Sequence, residues 1–410
     1  MKIRLKPQEK NRAQQELKKE PPLAEGITLC VIVLMMILFG LSVLYSTSYG
    51  IVGSNSYYFL RQIQWGVVGF LGFGAAIFFG YKKLSNWSWI LMIGICLLLV
   101  VALLFPPING ARRWIQLPGI GSIQPSEYAK VILALFLAKL CSDKIKMVEA
   151  KPLKFFGIAL LFSAPVLLLV YAGKDLGTTV LLGVIFGAML FIAGVRLIYL
   201  IAPPIVLIPL GIYKMKLSGS YRWQRIITFL NPEFYQKDEG YQLWLSILAL
   251  GSGSWTGVGF TESRMKHKYL PEAHTDFILS IVGEELGYVW MCLVIFAYIV
   301  FLALAIAISM RARTRQGMFL VFGLATFITA QAIVNIGVIS AAFPTKGMPA
   351  PFISYGGSSL VSCMTATGLI VSVALDAAYP EYNEWLRKKI LAFFSSLNIF
   401  SKKETRSSEK

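Results

Sequence analysis

Ten long apolar runs, separated by short charged or turn-forming segments, constrain this chain more than any other feature. A helix needs about 17–25 apolar residues to cross a hydrocarbon core. Runs of that length are read as membrane helices, because lipid offers no partner to an unpaired backbone amide. They predict spans over 27–45, 63–79, 87–104, 128–140, 155–171, 176–194, 197–213, 277–310, 317–342 and 358–378. The fourth is short and carries Lys130, which leaves its boundary the least defined. The eighth is too long for one crossing, so its first two turns, up to Glu284 and Glu285, are expected in the outer headgroup or water layer. The chain is 15% charged, whereas a soluble domain carries roughly a quarter charged residues. The expected fold is an all-α membrane protein of about ten transmembrane helices, with a large extracytoplasmic loop between helices 7 and 8. Residues 1–26 and 380–410 are read as cytoplasmic tails, 27–379 as the membrane domain and about 214–276 as the large loop.

Charge sets the orientation. With the N-terminus inside, Lys82, Lys83, the 139–154 connector, Arg196, Arg311, Arg313, Arg315 and the C-terminal tail lie inside too. Of the 39 Lys and Arg residues, 25 are then internal and 14 lie outside or near the outer face. An even number of spans returns the C-terminus to the cytoplasm, giving a multi-pass protein of the cytoplasmic membrane. Residues 1–26 lack a small-residue cleavage pattern, so no removable signal peptide is read. They carry no apolar period and, like the tail after Phe400, are expected to be disordered. Eight of the outer cations fall between Lys214 and Lys268. Long loops translocate largely regardless of charge, so this is either a solvated loop or a site for an anionic ligand. Nucleic acid does not suit that location, which leaves phosphate-bearing lipids or acidic polymers. Cys30, Cys96, Cys141, Cys292 and Cys363 all fall in or at the ends of apolar runs, where helix packing explains them better than disulfides. Two histidines without a Cys/His cluster do not make a zinc site.

The segments between spans carry the candidate chemistry. PPINGARRWIQLPGIGSIQPSEYAK (106–130) sets Arg112 and Arg113 beside Trp114, then opens a helix at Gln124-Pro125-Ser126-Glu127. Ser126 or Gln124 can cap that helix, Pro125 suits its first turn, and Glu127 favours its positive end. Lys130 follows Glu127 by three residues, a spacing that fits a local ion pair. An ionisable residue entering a span, however, usually faces a polar cavity. Asp175, in GKDLGTT, reads as a helix cap or first-turn acid. In the large loop, Tyr221-Arg222-Trp223-Gln224-Arg225 leads to an apolar stretch, 241–250, too short to span and better read as an interfacial or re-entrant helix. Gly251, Gly253, Gly257 and Gly259 follow. Without a strand–loop–helix context they make a weak nucleotide site and fit a flexible loop near lipid.

His274, Thr275 and Asp276 close that loop. Thr275 or Asp276 can cap the eighth span, yet Asp276, Ser280 and Glu284 recur every four residues, as on one helix face. An acid there, near cations and shielded from water, suits a general base at neutral pH. The last connector, FPTKGMPAPFISYGGSS (343–359), is stiffened by three prolines and projects Lys346. Gln331 and Asn335 lie one turn apart in the span before it, a polar pair facing the bundle interior.

Together these segments resemble the SEDS family, the polytopic cell-wall polymerases typified by FtsW, RodA and SpoVE. GARRWIQLPG, QPSEYAK, DLGTT, YLPEAHTDFI with GEELG, and PTKGMPAPFISYGGSSL occur in the family's order, over nearly the whole membrane portion from Leu44 to Asp376. PEAHTDF and PTKG are more similar to the division and sporulation branch than to the elongation branch. Gly173-Lys174 departs from the Gln-Pro that usually precedes Asp-Leu-Gly-Thr. The resemblance implies a peptidoglycan glycosyltransferase that polymerises lipid II into β-1,4-linked strands at the outer membrane face. It makes Asp276 the essential residue, a general base toward the acceptor sugar hydroxyl, with Lys130 as its expected ion-pair partner. Arg112, Arg113, Arg222, Arg225 and Lys346 become the expected diphosphate contacts, and Glu127, His274 and Ser358 complete the substrate-binding set.

No cofactor is required by the sequence and no metal ligands are read; a divalent cation (Mg or Mn) on the lipid diphosphate stays open. The implied partners are lipid II, a single-span class B penicillin-binding protein transpeptidase, other divisome proteins and membrane lipids. The rival from another class is a flippase for the lipid-linked precursor. Within the family the rival is an elongation-type, RodA-like polymerase, and a non-catalytic scaffold is the third reading. Polarity gathered in outer loops and span ends, with little at mid-membrane, favours catalysis over transport.

Overall fold

The computed structural model describes residues 21–49, 57–108, 110–117, 121–217, 221–236, 240–267, 269–380, 382 and 388–389, the side chains of Tyr49, Tyr221 and Arg222 excepted. The disorder expected before residue 21 and after Phe400 falls outside the described residues. Within them the chain forms thirteen helices and one short ribbon. The first half comprises α1 (Leu23–Tyr49), α2 (Tyr57–Asn86), α3 (Ser88–Leu104), β1 (Ile115–Leu117), β2 (Gly121–Ile123), α4 (Pro125–Asp143), α5 (Ile145–Ala150) and α6 (Pro152–Ala172). The second comprises α7 (Leu176–Ala193), α8 (Leu197–Leu217), α9 (Tyr221–Leu230), α10 (Tyr241–Gly253), α11 (Ile278–Met310), α12 (Arg315–Ile339) and α13 (Gly357–Ala378).

Eight of these, α1, α2, α6, α7, α8, α11, α12 and α13, are long and apolar enough to cross a membrane. α3 is equally apolar but only 17 residues long. α4 carries Glu127, Lys130, Lys139 and Asp143 and so falls short on hydropathy. The reason is its position. It packs against α3, α7 and α12 and buries most of its length, so its polar groups meet protein instead of lipid. With α3 and α4 the bundle contains the ten long segments expected, and the chain is an all-α, multi-pass membrane protein. α13 is the most buried of the spans and lies along α2. α8, interrupted by Pro203, Pro204 and Pro209, buries no residue and flanks the bundle.

The large loop is more ordered than its glycines suggested. α10 does not span; it lies on α11, burying Leu243, Leu245, Ser246 and Ala249. The glycine-rich segment after it is docked, which corrects the expectation of a flexible loop. Val258 N donates to the Glu284 carbonyl at 2.9 Å, Gly259 N to that of Glu285 at 3.1 Å, and Tyr288 N to that of Ser254 at 2.9 Å. Two facing glycines permit this. Gly257 (φ 80) and Gly287 (φ 80) both occupy the left-handed region, and a Cβ at either would strike the main chain of the other strand of contact. Gly287 is also where α11 kinks. Glu284 and Glu285 are consequently 2% and 1% exposed. They are covered by the loop and do not meet solvent directly. Lys266 meets Glu285 at 2.8 Å, Ser46 on α1 donates to the same carboxylate at 2.7 Å, and Ser263 bonds Glu284.

Candidate active site

Four helix ends converge at one end of the bundle: the starts of α4, α7, α11 and α13. Asp175 is the N-cap of α7, accepting from Thr178 N at 3.3 Å, as its sequence position suggested. It is also a hub. Gln124 Nε2 donates to it at 3.0 Å, Ser126 Oγ at 3.3 Å and Thr178 Oγ1 at 2.9 Å, and Arg113 Nη1 lies 3.6 Å away. α4 therefore starts without the side-chain cap expected from Gln124 or Ser126, since both are directed to Asp175. Pro125 does occupy its first turn. Arg113 Nε has no partner among the described residues, beside a void of about 10 Å³ bordered by Ser126, Gly173 and Asp175. Arg112 N donates to the Gly173 carbonyl at 3.1 Å, and a Cβ at 173 would lie 2.8 Å from the Arg112 carbonyl. The backbone approach explains why the smallest residue stands there.

Lys130 is fully buried. Its ammonium meets Glu127 Oε2 at 2.7 Å and Gln331 Oε1 at 2.7 Å, 4.6 Å from the Phe327 ring centre. The expected Lys130–Asp276 ion pair is not formed. Glu127 is one turn away on the same helix and is itself buried, and stripping either group of the other would leave a lone charge in the interior. The link toward Asp276 is indirect: Gln331 Nε2 donates to the Pro349 carbonyl at 2.9 Å and to Ser359 Oγ at 3.1 Å. That fixes the 343–356 connector against which Asp276 rests.

Asp276 is not a helix cap. α11 begins at Ile278 with Phe277 at the N-cap position and no side-chain cap bond. Thr275 Oγ1 instead donates to Glu272 Oε2 at 2.7 Å, and Phe277 N to the Glu272 carbonyl at 3.3 Å. The expected face of Asp276, Ser280 and Glu284 is also split: Ser280 bonds Ser246 at 2.7 Å, and Glu284 accepts from Arg264 N at 3.0 Å. The Asp276 carboxylate lies beside Gly347, where a Cβ would stand 2.8 Å from Oδ2. Asn335 Nδ2 donates to the Asp276 carbonyl at 2.8 Å and to that of Met348 at 2.7 Å, clamping acid and connector together. Burial, then the nearby Glu272 charge, pushes the Asp276 carboxyl up to about 7, with Arg113 and Arg225 acting in the opposite direction.

Of the other sequence-predicted residues, Arg225 Nη1 donates to the Thr345 carbonyl at 3.1 Å, which brings α9 onto the same connector. Lys346 lies over Gly177 in the first turn of α7, its end filling the space a Cβ at 177 would take. His274 stacks on Tyr58 with ring centres 4.0 Å apart, and burial lowers its pKa, which favours the neutral imidazole. Ser358 Oγ accepts from Gln124 N at 3.0 Å. Arg112 is exposed and turned toward the Leu103 carbonyl, 3.4 Å from Nη1. The Arg222 side chain falls outside the described residues. The structure thus gathers Asp276, Arg113 and Arg225, sets Lys130 and Glu127 within the bundle, and leaves Arg112 aside. Gly347 and the clamping role of Asn335 were not foreseen. Asn335 had a signal, as a polar residue in a span; its partners had none. Among the described residues no group of three or more His, Cys, Asp or Glu side chains is placed to hold a metal ion.

Comparison with known proteins agrees with this geometry. The FtsW/RodA/SpoVE profile, described as a cell cycle protein family, matches residues 27–379. A probable peptidoglycan glycosyltransferase FtsW from Trichlorobacter lovleyi is 35% identical over 370 residues, 87% of this chain and 95% of that protein. Stage V sporulation protein E of Bacillus subtilis is 34% identical over 363 residues, 86% of this chain and 98% of that one. Among solved structures, a chain of a peptidoglycan synthase complex described as coordinating polymerization and crosslinking aligns with a TM-score of 0.71 at 25% identity, covering 86% of this chain and 98% of that one. RodA of Thermus thermophilus shares the fold, with a TM-score of 0.63 at 24% identity over 85% of this chain and 96% of that one. With the ordered motifs, the ten-segment bundle and matches over most of both lengths, the chain belongs to the FtsW/RodA/SpoVE (SEDS) family.

Proposed function

We propose that this chain, a peptidoglycan glycosyltransferase of the FtsW type, polymerises lipid II at the outer face of the cytoplasmic membrane, for the septal wall, with Asp276 as general base. The observation that carries the reading is the state of that carboxylate: uncapped, partly buried, pushed up to about 7 and flanked by Arg113 and Arg225. A base with a pKa near the working pH is both available and strong enough to accept a hydroxyl proton. In the reaction Asp276 takes the proton of the acceptor GlcNAc 4-hydroxyl as that oxygen bonds the anomeric carbon of the donor MurNAc. The bond from that carbon to the diphosphate breaks, undecaprenyl diphosphate leaves, and the configuration inverts to β-1,4. Arg113, Arg225 and Lys346 supply fixed positive charge for the departing diphosphate.

Lys130 acts in this reading as a positioning residue, holding the connector behind Asp276 through Gln331. Residues 27–379 form the catalytic membrane domain, both termini are cytoplasmic, and the basic connectors support that orientation. A class B transpeptidase is the partner proposed, in keeping with a relative from a complex described as coordinating polymerization and crosslinking. No protein-held cofactor enters; Mg or Mn accompanying the diphosphate would belong to the substrate. The test is lipid II polymerisation by the purified chain with its transpeptidase partner. Wild type should yield glycan strands and Asp276→Ala none; equal yields from the two would defeat the mechanism.

A further inference from the structure

At the far ends of α6 and α7 from Asp175 lies an open cavity of about 480 Å³, lined by Lys151, Pro152, Leu153, Lys154, Arg196 and Tyr199. α6 runs 21 residues from this cavity to Ala172, next to the Gly173–Arg112 contact. At about 1.5 Å per residue, that places the cavity roughly one hydrocarbon thickness from the catalytic corner. None of its lining residues takes part in the network around Asp276.

We infer that this cavity binds the phosphate headgroup of an anionic phospholipid. Its cations stand where a helix disfavours them. Lys151 is the N-cap residue of α6, Lys154 is in its first turn, and Arg196 immediately precedes α8. Helix starts carry partial positive charge, so each of these side chains adds to the field when a carboxylate would offset it. Lys151 provides no side-chain acceptor for the amides of α6. No ion pair among the described residues engages Lys151, Lys154 or Arg196. Glu149, on α5 just before Lys151, is exposed and makes no ion pair among the described residues, and Asp143 is held by Lys139 at 3.9 Å. Three cations and two helix starts therefore border a cavity in which no protein carboxylate pairs with them among the described residues, which is a setting a phosphate fits.

The walls select a lipid over a free anion. Leu153 lines the cavity at 58% exposure, and Leu197 and Ile198, beside Arg196 in sequence, are 51% and 62% exposed. α8 beyond them buries nothing. Acyl chains hanging from a headgroup held by the cations would run along that apolar surface, with Tyr199 at the polar–apolar boundary. In the orientation set by the basic connectors this end faces the cytoplasm, where anionic lipids meet basic segments.

Native mass spectrometry of the full chain, released from micelles holding equal amounts of phosphatidylglycerol and phosphatidylcholine, tests the inference. Wild type should retain phosphatidylglycerol preferentially, and Lys151→Ala/Lys154→Ala/Arg196→Ala should bind it roughly a hundredfold more weakly. Arg313→Ala/Arg315→Ala, which removes two cations from another connector at the same end, should keep the wild-type preference. Inorganic phosphate should leave lipid retention unchanged; displacement by it would assign the cavity to a free anion and overturn the inference. Undiminished retention by the triple variant, or equal loss in the Arg313/Arg315 control, would overturn it as well. If the triple variant does not fold, Lys151→Gln and Lys154→Gln, singly and at exposed positions, should each weaken retention, and no change in both would count against the site.

Discussion

At Asp276 the difference between a helix cap and a free carboxylate comes down to one residue. Phe277 takes the N-cap position of α11 and has no acceptor to offer, so the carboxylate is left to face Gly347. The proposed base would have to be ionised to act, so on that reading polymerisation should rise with pH through about 7, the value to which burial and Glu272 push the group. Glu272→Gln removes a repelling charge and should move that acidic limb to lower pH; Arg225→Gln should move it higher. Rate profiles of the two variants that coincide with wild type would assign the limb to another group. The shift also has a stability sign. An acid whose folded pKa lies above its ordinary value binds more protons when folded, so stability is fullest at low pH and declines as pH rises through about 7. At Lys130 the issue is pairing. Lys130→Met alone leaves Glu127 buried without a cation and should cost about 3–5 kcal/mol, read as a lowered melting temperature in detergent. Adding Glu127→Leu should recover much of it.

Among the elements, legibility followed what each helix borders. Spans bordering lipid announced themselves, because hydrocarbon tolerates few polar side chains. α4 was nearly hidden, since a helix enclosed by protein is free to carry Glu127 and Lys130. The loop glycines were visible but misread: the sequence shows that Gly257 permits unusual backbone, not that another backbone lies against it. The docking can be checked directly. Gly257→Ala places a side chain against the Glu285 carbonyl at positive φ, and should raise amide hydrogen exchange at Val258 and Gly259 by roughly tenfold or more. Exchange unchanged at both amides would mean that the segment is held by something other than its contact with α11.

For the molecule as a whole, the family motifs are the places where distant segments meet. Asp175 collects Arg113, Gln124 and Ser126, and Asn335 joins Asp276 to Met348. Helical periodicity reports neighbours three or four residues apart and is silent on such partners, which is why Asp276 was identified by resemblance and its surroundings only by the fold. Two kinds of glycine in this architecture have different futures under mutation. At Gly177 the obstacle is the end of a long side chain, Lys346, whereas at Gly257 and Gly287 it is main chain. A screen for restored folded yield, as opposed to activity, should therefore rescue Gly177→Ala readily, through shorter residues at position 346. It should return only true reversions for Gly257→Ala and Gly287→Ala, because no exchange of side chains elsewhere can make a peptide backbone thinner.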